Sequence, residues 1–266
     1  MDVIGRNNVV VAGEAGARPI VFVHGFGCDQ QMWRYVEPAF RDRYQTVMFD
    51  YVGAGNSDAG AYDPARYNTL EGYARDIVEV VAALDLTDVV LVGHSVSAMT
   101  GAIATLLAPD RFGALVMVGP SPRYINDDGY VGGFDEADIE GLLESLESNY
   151  LGWSSAMAPA IMGRPDRPEL GAELTESFCR ADPEIQRRFA RATFLSDNRA
   201  DLGRIQVPTL VLQCSDDIIA PVAVGVFVHE QIVGSRYVQM RATGHCPNLS
   251  APDETSAEIH AFLGTA

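Results

Sequence analysis

Ser95 occupies a turn between an apolar, β-branched run and a stretch of small residues. The sequence over residues 89–99 reads VVLVGHSVSAM. A strand that enters a cramped turn and leaves it as a helix lifts a serine hydroxyl clear of the sheet, where the oxygen can attack a carbonyl carbon. A serine hydroxyl is a weak nucleophile at neutral pH and needs a base within hydrogen-bond reach. The pattern therefore predicts Ser95 as a nucleophile with partners later in the chain.

His245 is the predicted base. It lies in the run ATGHCP at residues 242–247, in a loop directly after the last predicted strand. The other histidines lie within other motifs or within predicted helices. His245 would take the proton of Ser95 during attack and return it to the leaving group.

Two adjacent aspartates, Asp216 and Asp217, follow the predicted strand Thr209–Gln213, and either could orient the base. Adjacent aspartates at a strand end are also typical of an ordinary turn with a helix cap. We favour Asp217 as the acid because it directly precedes the run IIAP, and we interpret Asp216 as a solvated turn residue. Between a turn serine and a loop histidine, the catalytic interpretation outweighs a plain turn for one of the two.

Acyl transfer also needs hydrogen-bond donors aimed at the carbonyl oxygen that becomes negative. The run VFVHGFG at residues 21–27 predicts a strand followed by a flexible glycine turn. The backbone amides of Phe26 and Val96 are the predicted donor pair. Ser97 stands two places after Ser95, where such turns usually carry glycine, so we expect slight crowding between helix and strand.

Length and charge limit the classes of function. The 266 residues are 47% apolar, which suffices for one large core or a core with an inserted cap. The 36 acidic residues outnumber the 19 basic ones and give a formal net charge of −17, which argues against nucleic acid and anionic membranes as partners; all the basic residues are arginine. No run approaches the ~20 apolar residues of a membrane span, and the N-terminus lacks the pattern of a signal peptide. Scattered cysteines favour free thiols, so we expect a cytoplasmic protein.

No motif indicates a cofactor or a metal ion. The run GAGNS at residues 53–57 lacks the third spaced glycine of a dinucleotide motif and the Lys-Ser/Thr ending of a phosphate loop. A loop after a strand accounts for it. No His/Cys spacing suggests zinc, so we expect neither a cofactor nor a metal.

Short apolar runs alternate with helical patterns, which predicts an α/β fold with a mostly parallel sheet and flanking helices. The predicted strands are Pro19–Val23, Gln45–Phe49, Val89–Val92, Ala114–Val118, Thr209–Gln213 and Arg236–Gln239. The predicted core helices are Leu70–Leu84, Ser95–Leu107, Val222–Ile232 and Pro252–Leu263.

Residues 121–201 interrupt this alternation. Helical stretches occur there without a convincing strand, at Asp135–Tyr150, Glu169–Arg180 and Pro183–Phe194. We therefore expect an all-helical lid at 121–201, inserted into an α/β core formed by 1–120 and 202–266. Residues 125–150 carry eight acidic residues and no basic one, which favours a solvated helix face over a surface that docks a partner.

Several runs resemble one branch of the α/β-hydrolase family. They are HGFGCDQ at 24–30, DYVG at 50–53, GHSVSA at 93–98, VGPSPRY at 118–124, FLSD at 194–197 and GHCP at 244–247. The branch holds the bacterial stress regulator RsbQ and the plant karrikin and strigolactone receptors. Matching segments extend from about residue 8 to the C-terminus. The chain most resembles RsbQ, although Ser97 is more similar to the plant receptors.

This resemblance implies a lid of four helices over a deep apolar pocket with Ser95 at its base. Carried over by motif position, the pocket would be lined by Phe26, Val96, Tyr124, Phe134, Leu142, Trp153, Met157, Phe194 and Ile219. Ordinary packing is an equally good account of each of these residues taken singly. Together they favour a small hydrophobic ligand.

Two functions remain open. The first is a serine hydrolase of small hydrophobic esters or lactones, butenolide-like, which acts through an acyl-serine intermediate, turns over slowly and serves signalling. The second is a ligand-sensing regulator whose lid contacts a protein partner, a phosphatase of a stress-response pathway, with hydrolysis incidental. The predicted triad favours the first, whereas the acidic lid and the RsbQ-like runs favour the second.

Overall fold

A computed structural model describes residues 2–264, and its strands form one sheet. The strands are β1 (Val10–Gly13), β2 (Pro19–Val23), β3 (Gln45–Met48), β4 (Val89–His94), β5 (Phe112–Val118), β6 (Thr209–Gln213) and β7 (Arg236–Gln239). Their order across the sheet is β1-β3-β2-β4-β5-β6-β7. All neighbours pair parallel except β1 and β3, which pair antiparallel.

The central strands are buried on both faces. Every residue of β2 and β4 is buried, as is typical of parallel strands that are covered on each side. Their side chains alternate between two apolar clusters, with Phe22 and Val92 on one face and Val21 and Leu91 on the other. This two-sided burial explains why both strand sequences are free of acidic and basic charges other than a terminal histidine.

Helices cover both faces of the sheet. They are α1 (Val3–Arg6), α2 (Leu70–Ala83), α3 (Val96–Leu107), α4 (Glu136–Ser148), α5 (Tyr150–Met162), α6 (Pro168–Arg180), α7 (Pro183–Phe194), α8 (Arg199–Leu202), α9 (Val222–Gln231), α10 (Pro247–Ser250) and α11 (Pro252–Leu263). Helices α2 and α3 pack on one face and α11 on the other. This arrangement confirms the predicted fold class. None of the described helices is long and apolar enough to cross a bilayer.

All the predicted strands and helices are present, with ends shifted by at most two residues. The structure adds β1, α5 and the single-turn helices. Strand β1 has no buried residue, and its sequence VVAG lacks the apolar–polar alternation from which a strand is predicted. Helix α5 is apolar around much of its circumference and contains Pro159, so it lacks the one-sided pattern that indicates an amphipathic helix.

The segment between β5 and β6 contains α4 to α8 and contributes no strand to the sheet within the described residues. Its two ends are tied together. Arg123 forms an ion pair with Asp197 at 3.1 Å, and the amide of Asn198 donates to the carbonyl of Pro122 at 2.8 Å. The segment therefore leaves and rejoins the core at one place, as a lid would. The division into lid and core remains a prediction.

Shortening one buried side chain of β4 tests how much the stability of the fold depends on this central strand. Leu91 is fully buried, and we expect Leu91→Ala to lower the free energy of unfolding by about 3 kcal/mol, because a cavity remains. Urea denaturation followed by circular dichroism measures the loss. Leu107, which is 41% exposed, supplies the control, and Leu107→Ala should cost less than about 1 kcal/mol. Equal losses would contradict this account of the core.

Candidate active site

Ser95 lies at the turn between β4 and α3 with a positive φ. Its φ is +57° and its ψ is −126°, a region that residues other than glycine rarely occupy. The turn requires Gly93, because a Cβ atom there would lie 2.1 Å from the carbonyl oxygen of Ser97. The amide of Ser95 donates to the carbonyl of Val118 at 2.8 Å and fixes the turn to β5. The strand–turn–helix arrangement expected around Ser95 is thus present.

Three buried side chains form one hydrogen-bonded chain beyond the carboxyl ends of β4, β6 and β7. Oγ of Ser95 lies 2.7 Å from Nε2 of His245, and Nδ1 of His245 lies 2.7 Å from Oδ2 of Asp217. In this geometry an imidazole can accept a hydroxyl proton on one side while the carboxylate orients it on the other. The structure therefore brings together the three side chains that the sequence singled out.

Asp217, rather than its neighbour, contacts the imidazole. Its Oδ1 accepts hydrogen bonds from the amides of Ile219 at 2.8 Å and Ala220 at 3.1 Å, which leaves Oδ2 for His245. Burial alone would raise the pKa of Asp217, but the His245 charge and these hydrogen bonds outweigh it and hold the pKa below its ordinary value. Asp216 is exposed. The buried carboxylate is therefore ionised at neutral pH.

A second buried histidine, His94, supports the backbone of the loop that carries His245. Nε2 of His94 donates to the carbonyl of His245 at 2.7 Å, so Nε2 carries the proton. Burial, aided by the charge of His245, lowers the pKa of His94 to about 3. His94 is therefore neutral at physiological pH and acts as a fixed donor rather than as a second base.

His24 holds the loop after β2 on which Phe26 lies. The amide of Tyr51 donates to Nε2 of His24 at 3.2 Å, so Nδ1 carries the proton and donates to the carbonyl of Gly25 at 2.9 Å. Within residues 2–264 no protein group accepts a hydrogen bond from the backbone amide of Phe26 or of Val96. Both amides are therefore available to an oxygen atom of a ligand.

Ser97 bonds to its neighbours at the position where we expected crowding. Its hydroxyl donates to the carbonyl of His24 and lies 3.0 Å from the hydroxyl of Tyr51, which in turn lies 2.6 Å from Oγ1 of Thr100. All four residues are buried. The network connects α3 to the loop that carries Phe26, which a glycine at position 97 would not do.

A narrow apolar cavity of about 40 Å³ lies beside Ser95 and His245. Five of its sixteen lining residues are Phe, Tyr or Trp. The rings of Trp153 and Phe178 are stacked with their centroids 5.8 Å apart, and Phe26 lies edge-on to both. The predicted residues that line it are Phe26, Tyr124, Leu142, Trp153, Met157, Phe194 and Ile219. An apolar lining with a few polar groups is typical of sites for small organic ligands.

Two of the predicted lining residues lie elsewhere. Phe134 is not part of the cavity wall, because its backbone is held in a loop by hydrogen bonds with Tyr124 at 3.2 Å and Asn126 at 2.7 Å. The side chain of Val96 packs into the apolar cluster on the α2–α3 face of the sheet. Only the backbone amide of Val96 remains a candidate for contact with a ligand.

Sequence reasoning missed several lining residues, namely Cys28, His94, Ile161, Leu174, Phe178, Thr193 and Cys246. A signal existed for two of them. Leu170, Leu174 and Phe178 recur at intervals of four on a predicted helix and therefore mark one apolar face. The ring of Phe178 also lies 2.4 Å from the place where a Cβ atom of Gly27 would stand, so the glycine admits this ring to the wall.

The cavity thiols do not form a second reactive centre. Burial raises the pKa of both Cys28 and Cys246, so each thiol is protonated at neutral pH and a poor nucleophile. Within the described part of the chain, no group of three His, Cys, Asp or Glu side chains is arranged to hold a metal ion.

The fold and the Asp–His–Ser chain define a class of protein, and comparison with known families agrees. The chain belongs to the alpha/beta hydrolase family, whose sequence model matches residues 20–258. The helices inserted between β5 and β6 fall within this match.

Individual relatives fall among receptors and esterases. The chain is 38% identical to karrikin insensitive 2 receptor CA of Petunia hybrida, over 93% of this chain and 92% of that one. It is 37% identical to strigolactone esterase D14 of Arabidopsis thaliana, over 97% and 95% of the two chains. A solved hydrolase from Oleispira antarctica is 39% identical with a TM-score of 0.97, covering 100% of this chain and 97% of that one. The resemblance to the plant receptors is confirmed, and the likeness to RsbQ stays a prediction.

Removal of the Ser97 hydroxyl tests whether its network positions the oxyanion donors. We expect Ser97→Ala to lower kcat for p-nitrophenyl butyrate about 10-fold with little change in KM, because one hydrogen bond of the donor loop is lost. Thr105→Val is the matched control, since Thr105 is also a buried α3 hydroxyl but bonds only to the carbonyl of Ala102. Equal losses of kcat in the two variants would show that the effect is merely structural.

Proposed function

We propose that the protein hydrolyses small hydrophobic esters or lactones through an acyl-Ser95 intermediate. The observation that carries this proposal is the continuous hydrogen-bonded chain from Asp217 through His245 to Ser95, which ends at an apolar cavity. A hydrolase needs a nucleophile, a base, oxyanion donors and a bound acyl group in contact with one another. Each of these parts has a candidate at this place.

The steps follow from the geometry. Nε2 of His245 accepts the Ser95 proton as Oγ bonds to the ester carbonyl carbon, and the imidazolium is stabilised by Asp217. The carbonyl oxygen becomes negative and accepts hydrogen bonds from the amides of Phe26 and Val96. Collapse breaks the bond to the alkoxy oxygen, which takes the proton from His245. Water then attacks the acyl carbon by the same route and releases the acid and free Ser95.

The cavity supports a hydrophobic substrate with few polar groups. Aromatic rings form much of its wall, and the Tyr124 hydroxyl interacts with the nucleophile rather than with solvent. Two relatives are named for ester or lactone hydrolysis, the strigolactone esterase of Arabidopsis thaliana and the 3-oxoadipate enol-lactonase 1 of Acinetobacter baylyi, which is 22% identical. We extend the substrate class to lactones, including butenolides, on this support.

Residues 121–201 act as the lid of this site in our proposal. Helices α5, α6 and α7 contribute Trp153, Phe178 and Phe194 to the cavity wall. The amide of His245 donates to the carbonyl of Ile161 at 2.8 Å, near the end of α5. A ligand that moved α5 would therefore also act on the loop that carries the base.

This coupling favours ligand sensing as a second function. The receptor from Petunia hybrida at 38% identity supports a role in which binding alters the lid and a protein partner reads the change. A phosphatase of a stress-response pathway is the partner that the RsbQ likeness suggests. Four free cysteines, three of them buried, are typical of a reducing compartment and support a cytoplasmic setting.

Substitution within the triad tests hydrolysis. We expect Ser95→Ala and Asp217→Asn each to lower kcat/KM for p-nitrophenyl butyrate and a fluorogenic butenolide by at least about 10³-fold. Asp216→Asn is the control and should leave the rate nearly unchanged, because Asp216 is exposed. Intact-protein mass spectrometry should show an adduct on the wild type that Ser95→Ala lacks. Wild-type turnover that survives Ser95→Ala would refute the proposed mechanism.

Ligand sensing makes a separate prediction. In Ser95→Ala, which cannot turn over, a butenolide should slow amide exchange in α5 and α7 and leave β2 unchanged, because the ligand contacts the lid. Hydrogen–deuterium exchange by mass spectrometry measures this difference. The opened hydroxy acid serves as the control ligand and should give little protection. Equal protection by both compounds, or none in α5 and α7, would leave hydrolysis without a sensing role.

A further inference from the structure

The hydroxyl group of Thr193, in α7, lacks the hydrogen bond within its helix that several other helical hydroxyl groups of this protein make. Helical serine and threonine side chains commonly donate to the carbonyl four residues earlier. Thr175 does so to Gly171 at 2.9 Å, and Ser154 does so to Tyr150 at 2.8 Å. Thr193, near the end of α7, does not.

Thr193 is 1% exposed, and its Oγ1 has no hydrogen-bond partner within residues 2–264. Its side chain lines the same cavity as Ser95. A buried hydroxyl without a partner is unfavourable, and a molecule bound in the cavity would supply the missing hydrogen bond. The cavity is where that occupant would lie.

The other polar side chains around the cavity are engaged, except that Nδ1 of His94 has no partner and, with the proton on Nε2, can only accept. Ser95 and His245 bond to each other, His94 donates to the catalytic loop, and the Tyr124 hydroxyl interacts with Ser95. Thiols are weak hydrogen-bond donors. Among the described residues of the cavity wall, Thr193 therefore carries the strong hydrogen-bond donor that is not already used by the protein.

We propose that Thr193 is a specificity residue whose hydroxyl donates to a second oxygen of the substrate, remote from the ester group that reacts with Ser95. The preferred substrates are then hydrophobic esters or lactones that carry an additional ether or carbonyl oxygen. This inference rests on the proposed hydrolase function and narrows its substrate class. A purely hydrocarbon ester of the same shape leaves the Thr193 hydroxyl unpaired and reacts less well.

A series of isosteric substrates tests the inference. The series consists of butyl pentanoate and its ether analogues. In each analogue an oxygen atom replaces one methylene group remote from the ester, either in the acyl chain or in the alkyl chain. Proton release in a pH-stat gives kcat/KM for wild type, Thr193→Val, which removes the hydroxyl at nearly constant shape, and Thr193→Ser, which keeps it. Comparing variants on each substrate cancels the intrinsic reactivity of that substrate.

For at least one ether position, we expect Thr193→Val to lose about 5- to 10-fold more kcat/KM than it loses on butyl pentanoate, whereas Thr193→Ser retains the preference. The ligand-free Thr193→Val variant should also melt no lower than wild type, since no protein hydrogen bond is removed. Equal losses on all substrates, or a lower melting temperature, would assign the hydroxyl to an interior water with a structural role and overturn the inference.

The same substrates distinguish an error in this inference from an error in the proposed hydrolase function. If the wild type hydrolyses no member of the series, the hydrolase proposal fails by itself. The same three proteins are then compared by thermal-shift titration with the same compounds. A stabilisation by an ether analogue that Thr193→Val abolishes and Thr193→Ser retains supports the role of Thr193 in binding. Indistinguishable shifts overturn it.

Discussion

The positive φ of Ser95 is the constraint on which the rest of the site depends. Such a conformation costs on the order of 1–3 kcal/mol for a residue with a side chain, and it persists only where the surroundings impose it. Here β4 is buried on both faces, the first ten residues of α3 are all buried, and Gly93 lets the helix backbone approach. The sheet and α3 therefore fix the position of Oγ before any substrate binds.

The base is held from several sides in a similar way. Asp217 fixes the ring of His245, while His94 and Ile161 bond to its backbone carbonyl and amide. His94 is the last residue of β4, whereas Ile161 lies in α5. The imidazole is consequently positioned by the core and by the lid segment together, and in a buried setting with few competing waters these hydrogen bonds gain strength. This arrangement is a physical basis on which the proposed hydrolysis and the proposed sensing would share one site.

Chain order and residue type were sufficient to find the three side chains of the site, because a turn serine, a strand-end aspartate and a loop histidine leave few alternatives in a parallel sheet. Choosing between the adjacent aspartates by geometry required the Asx turn of Asp217 onto Ile219 and Ala220. The residues of the cavity wall were harder to predict, because which side chains line the cavity depends on how the helices pack. Phe134 and Phe178 are both aromatic, but only Phe178 faces the cavity, opposite a glycine that makes room for it.

Ser97 and Thr193 show how two buried helical hydroxyls can be assigned different roles by their partners. The Ser97 hydroxyl bonds to the His24 carbonyl and lies within bonding distance of Tyr51, so its hydrogen-bonding capacity serves the protein. The Thr193 hydroxyl is as buried but has no partner in the described chain, so its capacity remains for whatever enters the cavity. Whether a buried polar group has a hydrogen-bond partner in the protein, rather than its residue type, thus separates a residue that shapes the site from one that would bind a ligand.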